Sequence, residues 1–176
     1  NVNADAIIAV YPFTPQPSIT QAIISVSEVP VFVGVGGGMT NGDRSVRLAE
    51  FSEHQGASGV VVNAPISNET IAKMKAVVDI PVVTTIVSGD MDIAGRLAAG
   101  ADILNVSGAS RTPEIVTKIR AEFPTVPIIA TGGPREEDIL RTIEAGANAI
   151  TYTPPTTGQL FADIMISHRK NFSHQD

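Results

Sequence analysis

The chain repeats itself, and the repeat restricts its fold more than any other feature. Three segments set a Gly-Ala pair ahead of an apolar run: Gly56-Ala57-Ser58-Gly59-Val60-Val61-Val62-Asn63, Gly100-Ala101-Asp102-Ile103-Leu104-Asn105-Val106 and Gly146-Ala147-Asn148-Ala149-Ile150-Thr151-Tyr152. Their leading glycines stand 44 and 46 residues apart. A fourth run, Ala4-Asp5-Ala6-Ile7-Ile8-Ala9-Val10, lacks the helix that should precede it. Between these lie three runs opened by an apolar residue and a proline: Val29-Pro30-Val31-Phe32-Val33, Ile80-Pro81-Val82-Val83-Thr84 and Val126-Pro127-Ile128-Ile129-Ala130. Proline at the first residue of a strand sacrifices no needed ladder bond. A period of this length means one supersecondary unit per repeat, with the units stacked to share a core.

The runs are continuous in Val and Ile rather than alternating, which is the pattern of parallel strands covered on both faces. Strands are expected over 6–10, 30–35, 59–63, 81–86, 102–106, 127–131 and 148–152. Helices are expected over 18–27, 43–55, 67–78, 90–99, 112–122, 135–145 and 158–170. Ser67, Asp90 and Thr112 fit N-caps, with Pro113 in a first turn. Gly56, Gly100 and Gly146 suit the left-handed turn that closes a helix. Strands alternating with helices imply βαβ units and a parallel sheet.

With the Ala-Asp-like strands called A and the apolar-Pro strands called B, the order is A B A B A B A. The expected fold is α/β, a TIM (β/α)8-type barrel. A closed ring of eight would read B A B A B A B A, so the expected missing unit is an initial B strand with its helix. Residues 1–176 are read as one barrel domain, incomplete at the N-terminus. A doubly wound open sheet is the rival, but it usually varies its connections at the switch point, and this chain repeats one double unit three times.

A length of 176 residues suits one domain. The absence of cysteine excludes a disulfide framework, thiolate chemistry and Cys-ligated metal. No apolar run approaches the ~18 residues of a membrane span, and the first residues lack the basic region and apolar stretch of a signal peptide. A cytoplasmic protein with no membrane partner is therefore expected. The net charge of -6 repels a polyphosphate backbone, so no nucleic-acid partner is expected either. His54, His168 and His174 show no metal-pair spacing, so neither a metal nor a cofactor is expected.

In barrels of this kind the site lies at the carboxyl ends of the strands. There Ile129-Ala130-Thr131-Gly132-Gly133 leads through Pro134-Arg135-Glu136-Glu137-Asp138 into a helix. The final strand leads through Thr153-Pro154-Pro155-Thr156-Thr157-Gly158 into the last helix. Glycines admit close backbone approach to an anion, and a helix N-terminus offers unpaired N–H groups. Gly132, Gly133, Thr157 and Gly158 are thus the expected phosphate cup, unless Gly132-Gly133 is only a tight strand-to-helix turn.

The stretch Val126–Tyr152, VPIIATGGPREEDILRTIEAGANAITY, resembles the last units of the ribulose-phosphate-binding barrel group. That group includes the tryptophan and histidine biosynthesis barrels, thiazole synthase, N-acetylmannosamine-6-phosphate epimerase and the glycerol-uptake antiterminator family. The resemblance implies a barrel with a small phosphorylated molecule as partner. The chain departs from the group at Thr153-Pro154-Pro155, where members often carry a glycine-rich phosphate loop, and proline has no N–H to donate.

The polar residues at the expected strand ends are Tyr11, Asn63, Thr84, Thr85, Ser88, Asn105, Ser107, Thr131, Thr151 and Tyr152. Of these, Asn63, Thr85, Asn105, Ser107, Thr131 and Tyr152 are the expected ligand contacts. Asn63 and Asn105 occupy matching repeat positions, where an amide either meets a ligand or caps a neighbouring loop. Lys73, Lys75, Lys118 and Lys170 all fall in expected helices, and no expected strand ends in Lys, His, Asp or Glu. An acid or base would have to come from a loop, with Asp43, Asp90 and Arg111 as candidates, or from the missing strand. Arg111 or Arg135 could clamp an anion bidentately. The loop Gly34-Val35-Gly36-Gly37-Gly38-Met39-Thr40-Asn41-Gly42-Asp43 matches the dinucleotide pattern only partly, so it reads as a flexible site loop or a long turn.

The expected function is a small-molecule enzyme acting on a phosphorylated metabolite, of the lyase, isomerase or synthase type. The alternative is a non-catalytic, ligand-sensing regulatory barrel resembling the glycerol-uptake antiterminator family. A third reading is a homo-oligomer that pairs across the open sheet edge.

Overall fold

The computed structural model describes residues 4–10, 14–133, 135–153 and 156–172. Seven strands follow the repeat: β1 (Ile7–Ala9), β2 (Val31–Gly36), β3 (Gly59–Val62), β4 (Val82–Ile86), β5 (Ile103–Val106), β6 (Ile128–Thr131) and β7 (Ala149–Thr151). Between them run α1 (Pro17–Val26), α2 (Asp43–His54), α3 (Asn68–Lys75), α4 (Ile93–Ala98), α5 (Thr112–Glu122) and α6 (Glu136–Glu144), and α7 (Thr157–Phe172) follows β7. All six strand pairings are parallel and join neighbours in sequence, giving the order β1-β2-β3-β4-β5-β6-β7. This is the TIM-type α/β arrangement expected, drawn as an open arc. Among the described residues β1 pairs only with β2 and β7 only with β6, so the ring is not closed.

The turn residues behave as their chemistry requires. Gly56, Gly100 and Gly146 close α2, α4 and α6 at φ of 94°, 104° and 104°, where a Cβ would be strained. Ser67 caps α3, accepting from the Thr70 N–H at 3.2 Å. The cap of α4 is Asp92 and not Asp90: its Oδ1 accepts from Gly95 N–H at 2.8 Å. Asp90 is instead drawn to Lys118 at 3.1 Å. Thr112 caps no helix end in the expected way, because a short 3-10 turn, Ala109–Arg111, precedes α5. Its hydroxyl closes that turn by accepting from Gly108 N–H and donating to Ala109 O.

The prolines that open the B strands keep their carbonyls at work. Pro30 O, Pro81 O and Pro127 O accept from Ile7, Val60 and Leu104 at 2.9, 2.9 and 3.0 Å. The polar residue that opens an A strand then latches its neighbour. Asp102 Oδ2 accepts from Val82 N–H at 2.8 Å, and Asn148 Oδ1 accepts from Ile128 N–H at 2.9 Å. A cation backs each latch, Lys75 on Asp102 at 2.9 Å and Arg120 on Asn148 at 2.9 Å. These bonds lie at the amino ends of the strands, the face that serves stability in this architecture.

The core lies between the sheet and its helices. One cluster gathers Val31, Val33, Val35, Val60, Val62 and Val82 with Ile71 and Met74 of α3. A second gathers Ile86, Leu104, Val106, Ile128 and Ala130 with Ile115, Val116 and Ile119 of α5. Only β3 and β4 are buried along their whole length, whereas β2, β5 and β6 alternate buried and half-buried. The continuous apolar runs therefore see full burial only at the middle of the arc. Toward the flanks, the inner face of the sheet lacks an opposing strand to cover it.

Candidate functional site

The strand parity that sends Val60, Val62, Val82 and Leu104 outward sends their neighbours inward. Ile8, Gly34, Val61, Thr85 and Asn105 face the inside of the arc and line a cavity of about 420 Å³ toward the carboxyl ends of the strands. Asn63 and Ser107, just past β3 and β5, complete its polar wall, and Val10, Pro15, Met39 and Thr40 form an apolar and neutral rim. A volume of this order suits a small metabolite.

Four of the six expected ligand contacts meet in this one cavity: Asn63, Thr85, Asn105 and Ser107. Thr85 is buried, and its Oγ1 accepts from Asn105 Nδ2 at 3.3 Å. Asn63 also serves its own loop, since its Oδ1 accepts from Ala64 N–H at 2.8 Å. The two asparagines that match in the repeat thus diverge: one holds a turn, the other holds a threonine of the adjacent strand. Thr131 and Tyr152 do not line the cavity. Thr131 is half-buried opposite Thr151 in the β6–β7 ladder, and Tyr152 is exposed. Thr84 faces the other way, into the sheet–helix layer, where its buried hydroxyl has no hydrogen-bond partner among the described residues. Ser88 accepts from Asp90 N–H in the loop after β4, and Tyr11 lies outside the described residues.

The glycine-rich loop after β2 shapes one wall. Gly37 has φ of 94°, and a Cβ there would run into the backbone of Asn63. Only glycine lets β2 leave the sheet against the start of the next loop, where Asn63 N–H donates to Gly36 O at 2.9 Å. The loop is pinned at Thr40: its carbonyl accepts from Gly37 N–H and Ser45 Oγ, and its hydroxyl donates to Thr14. Met39 projects from the tip, 93% exposed, at the cavity rim. The wall's other support was not read from the sequence. Arg96, buried on α4, donates to the carbonyls of Ile66 and Ala64 (the latter at 2.9 Å) and so fixes the loop that begins at Asn63. Burial draws its pKa below the ordinary arginine value, opposed by the Asp92 carboxylate. An arginine in a short helix reads as a solvated cation, and nothing local in the sequence shows otherwise.

The expected phosphate cup lies outside the cavity. Gly132 N–H donates to Thr151 O at 3.1 Å, so it serves the sheet. A Cβ on Gly132 would meet Ile150 Cγ2 at 2.6 Å and Ile139 Cγ1 at 2.8 Å, so this glycine allows α6 to pack against β7. Gly133 has φ of 78°. At α7, Thr156 and Gln159 form a reciprocal capping box, with Thr156 N–H donating to Gln159 Oε1 at 2.8 Å and Gln159 N–H to Thr156 Oγ1 at 3.2 Å. Among the described residues Gly158 meets nothing closer than Thr156 Oγ1 at 3.9 Å, so none of them demands glycine there. Pro134, Pro154 and Pro155 lie outside the described residues.

None of the loop candidates for acid or base chemistry lines the cavity. Asp43 begins α2, largely exposed and 3.5 Å from Lys73. Asp90 is largely exposed beside Lys118, and Arg111 is exposed at the start of α5. Arg135 spends its guanidinium on Asp138, at 2.9 and 3.0 Å. Among the described residues no three His, Asp or Glu side chains stand close enough to hold a metal ion, and no helix is long and apolar enough to cross a membrane.

The sequential parallel arc, with its cavity toward the strand carboxyl ends, defines the chain as a TIM-type α/β fold. Solved structures agree on that fold. A candidate dihydrodipicolinate synthetase from Pseudomonas aeruginosa matches 76% of this chain at 22% identity and a TM-score of 0.62. The 4-hydroxy-tetrahydrodipicolinate synthase of the methanotroph Methylacidiphilum fumariolicum SolV matches 86% at 15% identity and a TM-score of 0.68. A 2,3-dimethylmalate lyase, a PEP mutase/isocitrate lyase superfamily member, matches 88% at 15% identity and a TM-score of 0.66. The chain spans about half (51%) of the first protein's length, 57% of the second's and 64% of the third's. No family model and no curated protein matches the sequence. By name these neighbours are a synthetase, a synthase and a lyase. The finer resemblance to ribulose-phosphate-binding barrels rests on the 126–152 stretch alone.

Proposed function

We propose that the chain carries the substrate site of a small-molecule enzyme of the lyase type, acting on a phosphorylated metabolite at the carboxyl-end mouth of the arc. One observation carries this reading: Asn63, Thr85, Asn105 and Ser107, from three successive units, converge on one cavity of about 420 Å³. The fold places ligand sites at that end, and the structural neighbours named above are synthases and a lyase. The phosphate is assigned to the first turn of α7. There the N–H groups of Thr157 and Gly158 are of the unpaired kind found at every helix start, and Gly158 keeps the approach open. Gly133 is proposed as a second contact of the phosphate, while Gly132 contributes spacing between α6 and β7.

The second reading, a ligand sensor without catalysis, draws on the strand ends themselves. Among the described residues they carry hydroxyls and amides but no lysine, histidine or carboxylate. Titration of isotope-labelled protein with dihydroxyacetone phosphate tests both. Amide shifts at Asn63, Thr85 and Asn105 together with Thr157 and Gly158 are expected. Shifts confined to the proline ends of β2, β4 and β6 would sink the site. Slow consumption of a small phosphorylated ligand marks the enzyme, and saturable binding without turnover marks the sensor.

A further inference from the structure

The wall of the cavity has a character that the reading above does not require. None of the described residues lining it is charged. Its floor is Ile8 and Val61, and its polar groups are hydroxyls and amides. A charged ligand group pressed against such a wall loses hydration that no counter-charge restores.

The Thr85–Asn105 pair holds hydrogen-bonding capacity in reserve. Asn105 spends one N–H on Thr85 Oγ1. Its second N–H and its Oδ1 remain, and the Thr85 hydroxyl proton has no acceptor among the described residues. A half-turn of the amide exchanges donor and acceptor in the bond and still leaves both kinds unspent. Such a pair suits a group that can accept and donate, or accept twice, without carrying charge.

Resting on the site proposed above, we infer that the inward end of the ligand is uncharged and bears a hydroxyl or keto oxygen read by Thr85 and Asn105. The ligand is then two-ended, with a neutral polyol or hydroxyketone portion inside the arc and any charged group outward. A site built to hydrogen-bond such an oxygen discriminates steeply against analogues lacking it. A carboxylate of equal size is excluded by the neutral wall.

Two three-carbon probes test this, dihydroxyacetone and malonate, which carries a carboxylate at both ends, each titrated into the chain and followed by the Asn105 side-chain amide and the Thr85 methyl. Dihydroxyacetone is expected to shift both signals and malonate to leave them in place at the same concentration. Thr85→Val should weaken dihydroxyacetone about tenfold, the scale of one lost hydrogen bond in a binding constant. Thr84→Val, altered on the opposite face of the same strand, should leave binding unchanged and controls for fold. Malonate bound at these two residues as tightly as dihydroxyacetone overturns the inference and leaves the cavity as the site. Neither probe entering the cavity overturns both the inference and the site.

Discussion

Thr84 and Thr85 are adjacent in sequence and opposite in circumstance, because a strand alternates its side chains between two faces. Thr85 turns inward to the cavity and meets Asn105, whereas Thr84 turns into the sheet–helix layer with its hydroxyl unpaired. An unpaired buried hydroxyl is a cost, so Thr84→Val should raise stability by about 1 kcal/mol. Urea unfolding reads this as a higher midpoint at unchanged slope, and a lower midpoint would mean that the hydroxyl has a partner. The glycines separate in the same way. Gly132→Ala forces a methyl against Ile150 and Ile139 and should cost about 1–3 kcal/mol. Gly158→Ala meets open space in a helix and should be neutral or gain up to about 1 kcal/mol. If thermal melts show equal losses for both, Gly158 has a packing role absent from this structure.

The elements were legible because every strand is an apolar run, opened by proline in β2, β4 and β6 and by Gly-Ala or Ala-Asp in the others, and because α2, α4 and α6 each end on a glycine. Every expected strand formed within a residue or two of its predicted limits. The cap of α4 was misplaced because Asp90 and Asp92 both fit a cap by residue type. The choice fell to which carboxylate reaches Gly95 N–H and which is claimed by Lys118 of another helix, and sequence carries no such distance. The Asp102 and Asn148 latches were likewise hidden, because they depend on register between strands. At α6 the first turn carries Glu136, Glu137 and Asp138, favourable at a helix N-terminus. The hydrogen bond from Arg135 foremost, with Arg135 and Arg141 as nearby charges, holds Asp138 below its ordinary value of 3.8 against a smaller opposing effect of desolvation. A depressed carboxylate stabilises above its unfolded pKa and loses that contribution as pH falls through the folded pKa. Carbon-detected titration should therefore place the Asp138 midpoint below 3.8, and Arg135→Ala should move it upward. An unmoved midpoint would remove Arg135 as the cause.

At the scale of the molecule, two clusters of outward side chains share β4 as their seam, one reaching Val82 and the other Ile86. The cavity runs from β1 to β5 across the best-buried strands, β3 and β4. Of its polar pair, Thr85 stands on fully buried β4 and Asn105 on the strand beside it. Polar residues at the ends of β3 to β5 could be picked out by residue type, and Asn63, Thr85, Asn105 and Ser107 share one cavity. That Gly132 and Thr131 take part in the β6–β7 ladder depends on strand register, which residue type alone does not reveal. The claim that joins fold to function is that small molecules enter this arc at its carboxyl-end mouth. A crystallographic fragment screen tests it directly. Neutral, oxygen-bearing fragments are expected among Asn63, Thr85, Asn105 and Ser107. Fragments gathered instead in the groove of Asp90, Lys118 and Glu122 between α4 and α5, with the mouth empty, would contradict it.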